Sequence, residues 1–376
     1  MDLNLTDEQR LLGETVDGLL EKRYDPVARL NLLEKSDLGW SREMWQQYAE
    51  LGLLGLPFDE QYGGAGMGAT ELAVTMEAFG RALVLEPYVA TVVLGGPLVA
   101  AAGSPEQKKA VLPGVADGSI LLAFASTEPA SRWSLTDIAA KAEKSGDGWT
   151  VSGEKIAVLG GDSADQIVVT AKLPDGDVGL FLVAGDASGL RRAPYALQDG
   201  LRGADLLLDG VAAEALDAAP DAVAAIESVI DNAMAALCAE AVGAMDRMLW
   251  MTVDYMKTRE QFGAPIAVFQ ALQHRASNMY VSLEQARSGA LVARLALAGD
   301  DVAERRRMVR AAKLQVDLAA RHVGQEAVQL HGGIAMTMEY PVGHYLKRVT
   351  AISKTFADTD LLTELVGAGG GLVTAD

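Results

Sequence analysis

Cysteine is nearly absent from this sequence: Cys238 is the single one among 376 residues. A disulfide within the chain is therefore excluded and thiolate metal sites are disfavoured, so a reducing cytoplasm is the expected setting. Histidine is almost as scarce. The four present (His274, His322, His331, His344) stand at no metal-ligand spacing and give no ground for zinc or iron chemistry. Long hydrophobic runs are also missing. The stretch Val89–Ala102 is interrupted by Gly, Pro and Thr and falls short of the about 20 residues that a membrane span needs. The opening Met1-Asp2-Leu3-Asn4 has no basic segment before an apolar one, so no secretory signal is expected. Positive charge is in deficit, with 32 Lys and Arg against 51 Asp and Glu, for a formal charge of −19. Nucleic acid and anionic membranes are poor partners for such a chain. An anionic ligand has to be met by local cations instead.

Half of the residues are hydrophobic and 22% are charged, the profile of an ordered globular protein. The length suggests roughly two or three domains. Residues 1–117 read as helical. Thr6 and Gln9 make a capping box, and Leu11, Leu12, Val16, Leu19 and Leu20 follow at helical spacing. A second helix is predicted over 40–51, and a third over 70–84, after the glycine-rich loop Tyr62-Gly63-Gly64-Ala65-Gly66. Residues 118–216 change character. Short apolar runs at 120–125, 149–151, 166–171, 178–183 and 205–208 alternate with turn sequences such as Ser145-Gly146-Asp147-Gly148, which predicts a small antiparallel β domain. Residues 217–376 return to long amphipathic helices, with Ile226, Val229, Ala233 and Leu237 on one face and Leu272, Met279, Leu283 and Ala286 on the next. The tail Gly367-Ala368-Gly369-Gly370-Gly371 is expected to be disordered. Helices, strands, then helices make an α+β chain whose strands form a domain of their own.

Several motifs follow one another in this frame. Leu51-Gly52-Leu53-Leu54-Gly55-Leu56-Pro57 precedes Gln61-Tyr62-Gly63-Gly64-Ala65-Gly66, and Thr127-Glu128-Pro129 opens the β domain. Lys257-Thr258-Arg259-Glu260-Gln261-Phe262-Gly263-Ala264-Pro265-Ile266 with Phe269-Gln270, and Gln329-Leu330-His331-Gly332-Gly333 with Glu339-Tyr340-Pro341-Val342, lie in the last domain. In this order and spacing they resemble the acyl-CoA dehydrogenase family over nearly the whole chain. The resemblance implies an N-terminal helical domain, a central β domain and a C-terminal four-helix bundle. It also implies FAD, an acyl-CoA substrate, and electron-transfer flavoprotein as acceptor.

The chemistry of these residues is legible in its own right. Arg259 offers a forked, permanently charged donor set for a pyrophosphate. Gly332 and Gly333 let backbone N–H groups approach phosphate oxygens without a Cβ in the way. Gln270 and Gln329 suit adenine, ribose or phosphate groups, and Phe262 offers an apolar face. Each also has a plainer reading: Arg259 as a complement to a helix dipole, Gly332-Gly333 as a helix stop, Gln270 as a surface residue. By the resemblance, Arg259, Gln261, Phe262, Gln270, Gln329, Gly332, Gly333 and Thr359 bind FAD. Arg259, Phe262, Gln329, Gly332 and Gly333 do so for a flavin whose ring lies in the neighbouring subunit.

The departures from the family are concentrated. Its reaction removes an α proton while a hydride leaves the β carbon for flavin N5, and it needs a desolvated carboxylate base. The expected base position holds Ala357, followed by Asp358 where a glycine is usual, and then Thr359. A second base location falls near Ala233, and a CoA-assisting arginine aligns with Met234. The flavin-facing strand reads Lys155-Ile156-Ala157-Val158-Leu159, lacking its aromatic and hydroxyl, and Ala130-Ser131-Arg132-Trp133 replaces a glycine-serine-aspartate. Positions that serve a partner's flavin are kept, whereas those serving the chain's own ring, base and CoA are lost. This pattern resembles the small subunits of heteromeric, α2β2 acyl-CoA dehydrogenases, in particular the pimeloyl-CoA dehydrogenase type. Such a chain completes the FAD site of a catalytic large subunit.

Two alternatives stand beside that reading. A self-sufficient enzyme would need a displaced base, with Asp358 the candidate, but a short side chain moved along the backbone reaches an α proton poorly. Asp358 also suits the cap of a helix starting near Leu361. Glu128, Glu227 and Asp231 are further acids that nothing in the sequence places on a substrate. A non-catalytic scaffold without FAD is the other alternative, and retention of Arg259 and Gly332-Gly333 counts against it.

Overall fold

The computed structural model describes residues 4–146 and 148–369. The first residues of the predicted signal-free start, Met1, Asp2 and Leu3, lie outside them, as do Asp147 and the Gly370-Gly371 end of the predicted disordered tail. Six helices come first: α1 (Asp7–Arg23), α2 (Pro26–Lys35), α3 (Arg42–Glu50), α4 (Ala69–Ala82), α5 (Gly96–Ala102) and α6 (Pro105–Ala116). Seven strands follow: β1 (Leu122–Ala125), β2 (Lys141–Ser145), β3 (Gly148–Leu159), β4 (Gln166–Lys172), β5 (Val178–Ala184), β6 (Leu190–Ala196) and β7 (Arg202–Ala215). The long helix α7 (Ala222–Thr258) leads into a two-stranded hairpin, β8 (Glu260–Gln261) and β9 (Ala264–Pro265). Then come α8 (Gln270–Ala296), α9 (Val302–His331), α10 (Val342–Ile352) and α11 (Thr359–Ala368). This is the expected α+β order. The predicted Thr6 box is present: the Gln9 N–H donates to Thr6 Oγ1 at 3.2 Å, and the Thr6 N–H donates to Gln9 Oε1 at 3.0 Å. Gly367 and Ala368 belong to α11, so disorder is not the state of that part of the tail. The propensity cost of Gly367 is met by the preceding turns of amphipathic helix.

The chain divides into two compact units, Met1–Asn31 with Ala69–Val84 and Met234–Asp376, and Leu32–Gly68 with Leu85–Ala233. The second unit holds the sheet. Its strand order is β1-β4-β2-β3-β7-β5, β6 pairs with β7, and β5 also pairs with β4, so the sheet curls back on itself. Ala123, Val151, Ile167, Phe181, Val183, Leu206 and Val211 fill its core. One expectation needs correction: the sheet is not purely antiparallel. β1 runs parallel to β4, from Leu122 opposite Gln166 to Ala125 opposite Val169. Parallel neighbours need a long crossover, and the β2–β3 hairpin between them supplies it.

In the first unit α4 and α7 cross at very short range. A Cβ on Gly80 would sit 1.9 Å from the Glu240 carbonyl oxygen, and one on Gly243 would sit 1.9 Å from that of Glu77. Beside this crossing, Arg348 of α10 and Glu240 form a buried bidentate pair at 2.5 and 2.7 Å. Ala235, Ala293 and Ala312 meet where α7, α8 and α9 pack, small residues that allow close helix axes. By length and composition α7 is apolar enough to cross a membrane, a feature broken up in the sequence by Asp231, Glu240 and Asp246. Over half of its most apolar window is buried inside the chain, as in a core helix.

Candidate functional site

The end of α7 turns directly into the hairpin. The Arg259 N–H donates to Tyr255 O at 2.8 Å, and the Ile266 N–H donates to Arg259 O at 2.8 Å, which closes the hairpin's base. Phe262 (φ 56°) and Gly263 (φ 80°) are the two turn residues. Two consecutive left-handed residues define the turn type that matches strand twist, and asparagine-glycine is its usual occupant. A phenylalanine in the first position costs about 1–2 kcal/mol of backbone strain. Nor is that strain repaid by burial, since Phe262 is 91% exposed and meets Phe269 edge-on at 5.9 Å between ring centroids.

The second element of the site is the end of α9. Gly332 has φ 67° and ψ −144°, a region open essentially to glycine alone, and its N–H caps the helix on Val328 O. The helix-stop reading thus describes Gly332 fully. It does not describe Gly333, which lacks a positive φ and has nothing within 4 Å of the place a Cβ would occupy. The chain's own fold gives no reason for a glycine there.

A half-buried aromatic cluster, with only His331 fully enclosed, joins these two elements. His331, the last residue of α9, stacks on Tyr255 of α7 at 4.5 Å between ring centroids and lies 4.9 Å from Tyr340. Its Nδ1 is 2.8 Å from Ala327 O, and its Nε2 is 3.1 Å from the Tyr340 hydroxyl. Burial holds the imidazole below its ordinary pKa, against the opposing pull of the Ala327 and Met251 carbonyls. Arg259 lies one helical turn beyond Tyr255, and Gly332 is the residue after His331, so both termini open at one end of the bundle. An Arg275–Glu326 pair at 2.5 Å ties the start of α8 to the same end of α9. Arg259, Gln261, Phe262, Gln270, Gln329, Gly332 and Gly333 are all exposed there. A guanidinium, an aromatic face, carboxamides and side-chain-free backbone suit a phosphate-bearing ligand with an aromatic head. Sequence reasoning missed Tyr255, His331 as a ring, and Tyr340. Their signal was spacing, four residues before Arg259 and directly before Gly332.

Thr359 is placed elsewhere. It begins α11, whose far end at Gly369 lies against Arg307 near the start of α9. Asp358 is the N-cap of that helix and accepts the Leu361 N–H at 3.0 Å, with Lys354 at 3.8 Å. Ala357 is buried, and Phe356 before it is strained at φ 66°. Ala233 and Met234 are both buried within α7.

In the second unit the acid of Thr127-Glu128-Pro129 is committed to structure. Glu128 accepts Lys155 Nζ at 2.7 Å and the N–H groups of Ala139 and Ala140 at 2.5 and 3.1 Å, while Lys155 also reaches Thr170 Oγ1 at 2.9 Å. Burial raises the Glu128 carboxyl, but these bonds outweigh it and hold it below the usual carboxylate range. At Ala157 the strand is bulged, with φ 53° and a register shift against β7 between Lys155 and Val158. The Ala157 N–H donates to Asp205 Oδ1 at 2.9 Å, which also accepts the Tyr195 hydroxyl at 2.6 Å. That backbone donor is therefore occupied from within the chain.

Three sequence families match in chain order: Acyl-CoA dehydrogenase, N-terminal domain, over residues 6–119; the middle domain over 123–209; and the C-terminal domain over 223–356. The chain is 33% identical over 331 residues to acyl-CoA dehydrogenase FadE12 of Mycobacterium tuberculosis, covering 83% of this chain and 84% of the relative. Among solved structures it is similar to a chain of a variant of the Tcur3481-Tcur3483 steroid ACAD, with 31% identity and a TM-score of 0.87 over 97% of this chain and 98% of that one. It is likewise similar to a chain of the ChsE4-ChsE5 complex from Mycobacterium tuberculosis, with 25% identity and a TM-score of 0.89 over the full length of both.

Proposed function

The chain belongs to the acyl-CoA dehydrogenase family, and from that premise we propose that it is a half-site subunit of a heteromeric, FAD-dependent enzyme. It holds the pyrophosphate and adenine end of an FAD whose ring is used by a catalytic partner, in an α2β2 assembly acting on an acyl-CoA. FAD, when bound, accepts the hydride from the substrate β carbon. The partner contributes the base that takes the α proton, and reoxidation falls to an electron-transfer flavoprotein.

The carrying observation is the pairing of Phe262 and Gly333. One is a strained, solvent-exposed aromatic; the other is a glycine that its own chain does not require; both stand at the same end of the bundle. Residues that their own fold leaves unexplained are accounted for by a surface that becomes buried on assembly. Exposed Val268, Ile334, Met336 and Met338 nearby support such an interface. The ring, base and CoA positions of the chain itself supply no chemistry: Ala157 is bonded to Asp205, Ala357 is buried and apolar, and Met234 replaces a cation. Two of the similar solved chains come from structures whose names pair two proteins, which supports a heteromeric reading. The self-sufficient alternative depends on Asp358, whose carboxylate is engaged as a helix cap.

Purification of the chain alone, and together with a homologous large subunit, tests the proposal. The expected result is a colourless chain alone and a yellow, active complex. A chain that binds FAD by itself and oxidises acyl-CoA contradicts it.

A further inference from the structure

The half-buried cluster behind the exposed site stands where a task separate from ligand contact is needed. Two segments that diverge in sequence, 259–265 and 332–336, must keep one spacing if both are to touch the same dinucleotide. Three rings link them. Tyr255 precedes Arg259 by one turn and receives its N–H, His331 precedes Gly332, and Tyr340 follows the glycine turn and bonds back to His331. Nδ1 of His331 faces a carbonyl acceptor of its own helix, so a neutral ring donates there and accepts the Tyr340 hydroxyl at Nε2. The stack on Tyr255 then fixes the ring plane.

We propose that Tyr255, His331 and Tyr340 form a positioning clamp. It sets the distance between the hairpin and the glycine turn and thereby tunes affinity for the dinucleotide, without touching it. The inference rests on the FAD reading above. The groups facing His331 are Tyr255 and the Met251 carbonyl from α7, Tyr340 from the segment before α10, and the Ala327 carbonyl of α9; Asp254 acts on Tyr340. Protonation reverses the Nε2–Tyr340 bond, making Nε2 the donor, and places a charge among partly desolvated rings, so the clamp is most stable with the neutral ring.

The test uses the assembled complex for FAD affinity by flavin fluorescence, and the chain alone for hydrogen exchange. His331→Phe keeps a stacking ring and removes both hydrogen bonds. It is expected to weaken FAD binding about tenfold, the size of one or two lost hydrogen bonds, and to speed exchange over 332–336. Because burial lowers the His331 pKa, wild-type affinity is expected to fall only as pH drops below the ordinary imidazole range, and the variant's profile to be flat. Unchanged affinity with an unchanged pH profile overturns the clamp. If His331→Phe does not fold, Tyr340→Phe, which loses one hydroxyl only, carries the same comparison with an expected loss of about threefold. Arg259→Ala distinguishes the two claims. If that variant keeps FAD, the FAD reading falls, while the exchange rates over 259–265 and 332–336 still decide the clamp.

Discussion

At the scale of single residues, the telling cases are those where side chain and backbone disagree. Phe262 occupies a left-handed turn position and buries almost nothing, so Phe262→Gly is expected to leave the isolated chain no less stable. It is expected to strip FAD from the complex; a thermal scan beside an absorbance spectrum checks both. Asp358→Asn preserves a good N-cap and should leave turnover of the complex unchanged, whereas Asp358→Ala should cost about 1 kcal/mol of stability. Loss of flavin reduction in Asp358→Asn would revive the displaced base. Glu128 makes a pH prediction. Its carboxyl is held below its unfolded value, so its contribution is present above pH about 4.3 and is lost as pH falls through the folded value. Glu128→Gln should flatten the acid limb of the stability curve. By leaving the buried Lys155 without its counter-charge, it should also cost about 3–5 kcal/mol at neutral pH.

At the scale of elements, much of the fold was legible in the sequence, and the exceptions have physical reasons. The helix α1, with a cap and an apolar stripe, stood out because local pattern and burial agree. β2 was missed because Lys141-Ala142-Glu143-Lys144-Ser145 buries only Ala142, and β6 because it is a largely exposed strand interrupted by Pro194. The parallel β1–β4 pairing follows from tertiary closure, to which a strand's own pattern is blind. Of the candidate site, the exposed residues proposed to contact FAD stand in motifs visible in the sequence. The cluster of Tyr255, His331 and Tyr340 was not legible, since three separated aromatics are indistinguishable from core in one dimension. The α4–α7 crossing gives the sharpest prediction at this scale. Gly243→Val places a branched side chain where even a Cβ meets the Glu77 carbonyl, and should cost roughly 3 kcal/mol or more, the upper end for overpacking. Denaturant melts of the variant check it, and a native-like midpoint would contradict the packing described.

At the scale of the whole molecule, a chain of net charge −19 keeps a local cation, an exposed aromatic and glycines at one end of its helical bundle, and carries Ala157, Leu159, Met234 and Ala357 where an aromatic, a hydroxyl, a cation and a base would be needed for catalysis of its own. A single replacement cannot undo this. Ala357→Glu is expected to give no acyl-CoA oxidation by the chain alone, because Ala157, Leu159 and Met234 remain unsuited to ring and CoA. The central claim is that the site's cofactor is shared with a partner, and the flavin-to-chain ratio of the co-purified complex tests it most directly. The account predicts a complex with one FAD for each pair of unlike chains, reduced by acyl-CoA and emptied by Arg259→Ala in this chain. One FAD per chain, retained by this chain in isolation and reduced there by acyl-CoA, would contradict it.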